Sequence, residues 1–386
     1  MKNMLIIVES EQQLLFFRTF VKGLHELEYH PLFLTNKFSV MLVGKFHFGL
    51  DISLLRKGEK NYESYDIEES LEMLLGHVNL KESQILFSAI CWHVDLLLQK
   101  NIECIWVWGG NTIASKTVKW IAKKNNIRFL LFDRGNSEGK MFVDTKGTAL
   151  HSWLYEHQEF LTTELNQSES NTVDSYTKHF NFQQKVKLNL FFLLDVLYSA
   201  ISGIRFVGER NPIKKLFKSL ITWDSFGKYE VTKKQFIYIP FAHSFECKKR
   251  YDGIDRYFNI LDNILADNRY QSNDVVVTIH PLEDDREFVE RLQAYALRGE
   301  IQLTSIRSTE LLRYCSKVYS FNTSVALHAI LNNIPIEFVE ESLFKGWSSI
   351  MAKNYVDRYL IDLPVDEDGC CPAGTVEALF ERMRLE

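Results

Sequence analysis

The sequence is poor in glycine and proline, with 18 and 7 of them among 386 residues. This scarcity argues against Gly-rich solenoids and against all-β folds, which need a turn about every ten residues. The six cysteines include no CxxC pair, and only Cys370 and Cys371 lie close together. Neither a zinc site nor a disulfide framework is therefore indicated, and we expect a reducing compartment.

Long apolar runs are also missing, since no stretch reaches the roughly 18 uncharged residues that a membrane-spanning helix needs. The short apolar segment Leu5–Val8 is closed by Glu9, which is typical of a buried strand and not of a signal peptide. The chain is 46% hydrophobic and 25% charged, with a net charge of −5, and is long enough for two domains. We expect a cytoplasmic protein. Its acidic balance and the absence of a recognition motif argue against a nucleic-acid partner.

One window departs from this acidic average. Residues 180–223 hold seven basic and two acidic side chains around a Phe- and Leu-rich stretch at 188–198. Such a segment can lie on an anionic membrane surface, where each nearby Lys or Arg contributes about 1 kcal/mol. A buried interdomain helix followed by a solvated basic loop explains the same pattern. Both interpretations stay open, and the first predicts a protein peripheral to the inner face of the membrane.

The order of predicted elements indicates two α/β domains. In the N-terminal part a strand at Leu5–Val8 precedes a helical pattern over Glu11–Glu26, and a second strand is predicted near Phe38–Val43. A strand–helix–strand unit then implies a parallel pair of strands; its elements are Cys104–Trp108, Ile113–Asn125 and Arg128–Phe132.

A second α/β series follows a polar stretch at 156–177. Five predicted strands alternate with four helices, which is typical of a doubly wound parallel sheet; the strands are Phe236–Ile239, Val275–Ile279, Ile301–Leu303, Lys317–Phe321 and Ile336–Val339. We expect an N-terminal domain over 1–155, a linker or insert over 156–230 and a C-terminal domain over 231–386.

Polar clusters follow four predicted strands, at the edge of the sheet where ligands bind in this class of fold. They are Asp133-Arg134-Gly135-Asn136 with Lys140, Pro240 through Glu246, His280-Pro281, and Ser320 through Ser324. In the last cluster Asn322, Thr323 and Ser324 open a helix, where hydroxyls and backbone N–H groups can bind an anion. Plain N-capping explains these three residues equally well, and taken singly no cluster is specific.

The order of the clusters is more informative. His280-Pro281, then Ser320-Phe321-Asn322-Thr323-Ser324, then Asn333-Ile334-Pro335-Ile336 make the C-terminal part resemble the capsule polysaccharide biosynthesis and export family of bacteria. Asp133-Arg134-Gly135-Asn136, with Asp144 and Gly147 downstream, is similar to the acidic–x–Gly–Asn segment of that family. The resemblance covers residues 106–153 and 236–347. The best-understood members are β-Kdo transferases that use CMP-Kdo.

This resemblance implies a GT-B-like α/β fold, in which two Rossmann-like domains with parallel sheets face a cleft. It implies a metal-independent transferase without a cofactor, in which the CMP part of the donor is bound by His280, Pro281, Ser320, Asn322, Thr323 and Ser324. Asp133 takes the place of an acidic residue on the acceptor side, where a carboxylate can accept the proton of an attacking hydroxyl. Arg134, Asn136 and Lys140 are expected to contact substrate.

The stretch after Ile239 departs from the family, because Ser244 stands where the β-Kdo enzymes carry an aspartate. Glu246 and His243 are the expected catalytic groups in its place, since a retaining double displacement needs a carboxylate nucleophile. Without one, the stereochemistry differs or the chain is not a β-Kdo transferase.

The leading hypothesis is a glycosyltransferase of capsule or surface-glycan synthesis. It would transfer Kdo or another acidic sugar from a CMP-linked donor to a lipid or glycan acceptor. Two other classes stay open: a non-catalytic glycan-binding or assembly protein with a GT-B fold, and a GT-B-type sugar-nucleotide epimerase or hydrolase.

Overall fold

A computed structural model gives the structure of the chain. It describes residues 2–162 except 59, 61, 64–66 and 75–76, then 178–179, 192–204, 235–244, 254–267 and 275–384 except 281, 282, 284 and 322. The chain divides into two compact units, Met1–Glu209 together with Val356–Glu386, and Arg210–Tyr355.

The first unit begins with seven described strands and eight described helices. The strands are β1 (Lys2–Val8), β2 (Tyr29–Thr35), β3 (Ile52–Leu54), β4 (Ile102–Trp108), β5 (Arg128–Arg134), β6 (Lys140–Asp144) and β7 (Lys178–His179). The helices are α1 (Glu11–Arg18), α2 (Val21–Glu26), α3 (Phe38–Leu42), α4 (Leu71–Leu74), α5 (Leu80–Leu98), α6 (Ile113–Asn125), α7 (Trp153–Glu156) and α8 (Phe192–Ser202).

The second unit is a parallel α/β sheet. Its described strands are β8 (Phe236–Pro240), β9 (Val275–Thr278), β10 (Gln302–Thr304), β11 (Cys315–Ser320) and β12 (Ile336–Phe338). Its described helices are α9 (Asp255–Ala266), α10 (Arg286–Leu297), α11 (Ser308–Leu311), α12 (Val325–Leu331) and α13 (Ser349–Asn354). The strand order is β10-β9-β8-β11-β12, with every pair parallel. The chain moves outward from β8 to β10 and returns at β11, so the order reverses between β8 and β11.

The chain then returns to the first unit, which corrects the predicted domain boundary. The strands β13 (Ile361–Asp362) and β14 (Pro364–Val365) pair with β6 and β7, and the helix α14 (Ala373–Arg382) follows. The Arg382 guanidinium donates to the carbonyl of Tyr359, whose hydroxyl donates to the buried Asp144 at 2.6 Å. Residues 356–386 are therefore held by the N-terminal unit and not by the C-terminal domain to which the sequence assigned them.

The sheet of the first unit has the order β13-β6-β5-β4-β1-β2-β3 among the described strands. Strands β1 to β5 run parallel to one another, whereas β6 pairs antiparallel with β5 and β13 pairs antiparallel with β6. The chain runs from β1 outward to β3 and then crosses to β4, so the order reverses between β1 and β4. The expected α/β class with two largely parallel sheets is confirmed.

The predicted second strand is wrong. Phe38–Val43 forms α3 and the start of a π-helical turn, and the strand is Tyr29–Thr35. A proline inside a short apolar run argues against a central strand. Pro31 nevertheless lies in β2, which has β1 on one side and β3 on the other, and it pairs with Met4 of β1. A short apolar run such as 38–42 does not by itself distinguish a helix from a strand.

The predicted helix over Glu11–Glu26 is two helices. The Thr19 hydroxyl donates to the carbonyl of Phe16 at 2.7 Å, and the Thr19 amide donates to the same carbonyl. These bonds end α1 at Arg18, and α2 begins at Val21.

Candidate functional site

Three polar loops leave the second unit's sheet side by side. The Phe241 ring stacks on Phe321 with centroids 4.9 Å apart, which joins the loop after β8 to the loop after β11. The Phe241 amide donates to the carbonyl of Thr278 at 3.1 Å, which joins the loop after β8 to the end of β9. These loops lie at the carboxyl ends of β8, β9 and β11. The strand order reverses between β8 and β11, and ligands bind at such a point in open α/β sheets.

A buried carboxylate, that of Glu283, holds two of these loops in place. It accepts hydrogen bonds from the Ser244 amide at 2.6 Å, the Ser244 hydroxyl at 2.7 Å and the Asp285 amide at 2.8 Å. Its side chain is fully buried, and His243 Nδ1 lies 3.6 Å from it. Because both carboxylate oxygens are occupied by these donors, we assign Glu283 a positioning role.

Two histidines that were predicted as site residues lie next to Glu283. His243 is buried, and its ring centroid is 5.4 Å from that of His280 at a tilt of 53°. The carbonyl of His280 also accepts the amide of Glu283 at 2.9 Å. The structure thus brings together His243, predicted as catalytic, and His280, predicted to bind the nucleotide.

Ser244 stands where the resembling family carries an aspartate, and its environment is now defined. It is buried, and both its amide and its hydroxyl bond to Glu283. A carboxylate therefore lies within 2.7 Å of the Ser244 hydroxyl, although it comes from the loop after β9. Glu246, predicted as the catalytic carboxylate, lies outside the described residues.

The turn after β11 has three described polar residues. Ser320 is fully buried, and its hydroxyl donates to the carbonyl of Phe321 at 2.5 Å. The Thr323 hydroxyl oxygen is buried and has no hydrogen-bond partner among the described residues. Ser324 is exposed and its side chain makes no capping bond to α12, so plain N-capping does not explain it. Asn322 and Pro281 lie outside the described residues.

One hairpin of the first unit carries Asp133, predicted on the acceptor side, and the three predicted substrate contacts. Asp133 and Arg134 end β5, Lys140 begins β6, and the half-buried Asn136 lies in the turn. The Asp133 carboxylate accepts the Arg134 amide at 2.7 Å. Lys140 Nζ lies 2.8 Å from an Asp362 oxygen on β13, so this predicted substrate contact also holds the sheet edge. The sequence predicted a polar cluster after the strand β5 but did not predict that β5 and β6 form an antiparallel hairpin.

The acidic loop Asp366-Glu367-Asp368, near the C-terminus, has a local structural role. Asp366 accepts hydrogen bonds from the Cys370 amide at 2.7 Å and from Lys22 Nζ at 3.1 Å. The Cys370 amide is the main cause that lowers the pKa of Asp366, and Lys22 adds to it. Within the described part of the chain, no group of three or more His, Cys, Asp or Glu side chains is arranged to hold a metal ion.

Only 192–204 of the basic window are described. There the Asp195 carboxylate accepts the amide and the hydroxyl of Ser39 at 2.7 and 2.6 Å, and the Tyr198 ring stacks on Phe38. The outward face of α8 exposes Leu197 and Ile201 at 57% and 84%. None of the helices in the described ranges has the length and apolar character to cross a bilayer.

No family model matches the sequence, and no curated protein matches it. Among solved structures it is similar to a UDP-GlcNAc 2-epimerase from Methanocaldococcus jannaschii, at 12% identity and a TM-score of 0.31, over 99% of this chain and 92% of that one. MurG from Acinetobacter baumannii is similar at 9% identity and a TM-score of 0.33, over 100% and 92%. A UDP-glucosyltransferase from Polygonum tinctorium is similar at 10% and 0.32, over 100% and 92%.

These likenesses do not show the capsule polysaccharide family or any other.

Proposed function

We propose that this chain is a GT-B-type glycosyltransferase that transfers Kdo or another acidic sugar from a CMP-linked donor to a lipid or glycan acceptor. The observation that supports it most is the set of polar loops at the carboxyl edge of β8, β9 and β11. They meet where the strand order reverses, which is the place that α/β sheets use for nucleotide ligands.

The donor would be held by the residues that these loops present. His280 and the Thr323 hydroxyl supply hydrogen-bonding groups for a phosphate, which is the chemistry that recognises a nucleotide without a metal ion. Glu283 fixes the loop that carries His243 and Ser244, so the site is arranged before the ligand arrives.

The proposed reaction places a hydroxyl oxygen of the acceptor on the anomeric carbon of the sugar. The bond from that carbon to the phosphate oxygen breaks, and CMP leaves with the electron pair. Asp133 accepts the proton of the acceptor hydroxyl. In a retaining double displacement, Glu246 is our candidate nucleophile for the first step.

A lipid acceptor would fit the basic window. The apolar side chains that α8 exposes, Leu197 and Ile201, lie in a segment whose sequence carries an excess of Lys and Arg. Apolar and basic groups together favour an anionic lipid surface. We propose that residues 180–223 contact the inner face of the membrane.

The test is to incubate the full chain with CMP-Kdo, with and without a phosphatidylglycerol-type acceptor, and to measure both CMP release and the glycosylated lipid. Product that requires the acceptor supports the transferase. Release of CMP without an acceptor identifies a hydrolase, and a changed sugar nucleotide identifies an epimerase. A chain that binds CMP-Kdo but never consumes it is the non-catalytic binding protein.

Asp133→Asn is expected to lower the transfer rate at least about 100-fold, since general-base catalysis contributes about 10²–10⁴-fold. Binding of CMP is expected to be unchanged in this variant. Glu138→Gln is the matched control, because Glu138 is an exposed carboxylate in the same hairpin. Equal transfer rates for both variants would show that Asp133 is not the general base.

A further inference from the structure

The first unit's sheet has its own point of reversal, between β1 and β4. Glu9 is the first residue after β1, Asn36 and Lys37 follow β2, and Thr112 follows β4 at the start of α6. Since Val8 pairs with Thr35, Glu9 and Asn36 stand at the same level, one residue beyond paired strands. None of these residues was among the predicted site residues.

Two buried carboxyl groups meet at this edge. Glu9 is 8% exposed, and Glu72 is 4% exposed and accepts the Ile113 amide at 3.0 Å. Burial and then the proximity of Glu72 raise the pKa of Glu9 to about 8, and burial raises that of Glu72 to about 7. The pair therefore holds protons near neutral pH. With the buried Lys37 beside Glu9, the edge carries little net charge.

Asn36 supplies an independent observation. Its side chain is 2% exposed, and both its amide nitrogen and its amide oxygen are buried without a hydrogen-bond partner among the described residues. Ser70, two residues before Glu72, is fully buried, and its hydroxyl also has no hydrogen-bond partner among the described residues. Buried polar groups are normally paired, so unpaired ones in a folded protein call for a further partner.

We propose that the carboxyl edge of β1, β2 and β4 binds a neutral, hydroxyl-rich group, a sugar or polyol, through the Asn36 amide and the Glu9 carboxyl. Sugar hydroxyls donate and accept at once, which suits an amide and a proton-sharing carboxyl pair. An edge that carries little net charge offers no counter-charge to a buried anion, which favours a neutral ligand. Assigning this site to the acceptor sugar rests on the proposed function, whereas the binding itself does not.

The experiment compares Asn36→Leu with the wild-type chain. Leucine nearly matches asparagine in shape, so the loss of an amide that has no partner is expected to leave the melting temperature unchanged or to raise it. Binding of methyl glycosides of glucose, galactose and N-acetylglucosamine, measured by ligand-detected NMR, is expected to weaken about tenfold or more. Glu9→Gln is a second variant, with weaker binding expected from the same site.

Asn3→Leu is the matched control at the opposite end of β1. Its amide nitrogen donates to the carbonyl of Lys100 at 2.6 Å, so the variant is expected to lower the melting temperature and to keep glycoside binding. A destabilised Asn36→Leu protein that still binds glycosides would overturn the proposal, as would a wild-type chain that binds none of them. A chain that binds CMP but no glycoside contradicts this site alone. Glycoside binding without CMP binding contradicts the donor site alone.

Discussion

Replacing Glu283 with alanine is expected to lower the free energy of unfolding by about 3–5 kcal/mol and to abolish nucleotide binding. The truncated side chain leaves the amide and hydroxyl of Ser244 and the amide of Asp285 without their acceptor in a buried place. His243 also loses the carboxylate beside its ring. Denaturant unfolding measures the first effect, and a nucleotide titration below the melting temperature measures the second.

The matched control is Glu290→Ala on the following helix. Glu290 is exposed, and its carboxylate pairs with Arg286, four residues earlier on the same helix. Its removal is expected to change stability by less than about 0.5 kcal/mol and to leave nucleotide binding intact. Glu283→Ala behaving like Glu290→Ala would contradict the anchoring role.

The second large effect is a loss of stability as pH rises. The pKa values of Glu9 and Glu72 are raised in the folded chain from 4.5 to about 8 and about 7. Above pH 4.5 the unfolded chain releases these protons while the folded chain keeps them, so rising pH favours unfolding until about pH 8. At about 1.4 kcal/mol for each pKa unit, the loss is on the order of several kcal/mol.

Glu9→Gln is expected to remove much of this dependence. Glutamine carries no proton to release and does not repel Glu72, so the variant should match the wild-type protein near pH 4.5 and exceed its stability near pH 8. Urea unfolding at both pH values measures the difference. Glu300→Gln is the control of opposite sign, because Arg298 lowers the pKa of Glu300. Equal pH profiles for Glu9→Gln and wild type would show that the carboxyl pair is not buried as described.

The sequence predicted the second unit well because its strands are continuous apolar runs. Val275–Thr278 and Phe236–Pro240 are fully buried, as expected of parallel strands covered on both faces. The first unit was predicted less well. Pro31 argues against a strand where β2 lies, and the apolar run that begins at Phe38 forms a helix. The return of residues 356–386 depends on contacts such as that between Tyr359 and Asp144, which are far apart in sequence.

The candidate site was predicted only in part for a similar reason. His243 and His280 were recognised because each follows a strand, and the structure places them together. Glu283 was overlooked because an acidic residue in a loop has no periodic pattern, and only the fold shows that it is buried. Glu9 and Asn36 were missed because burial at the end of a strand depends on the helices that cover it.

The most direct test of the central claim is a thermal-shift titration with CMP, UMP, GDP and AMP, on wild type and on His280→Ala. A ligand that binds only the folded chain raises the melting temperature by mass action. We predict that CMP alone stabilises the wild-type protein and that His280→Ala removes the shift. Stabilisation by UMP instead would contradict the CMP donor, and no shift with any nucleotide would contradict a nucleotide-sugar site at the ends of β8, β9 and β11.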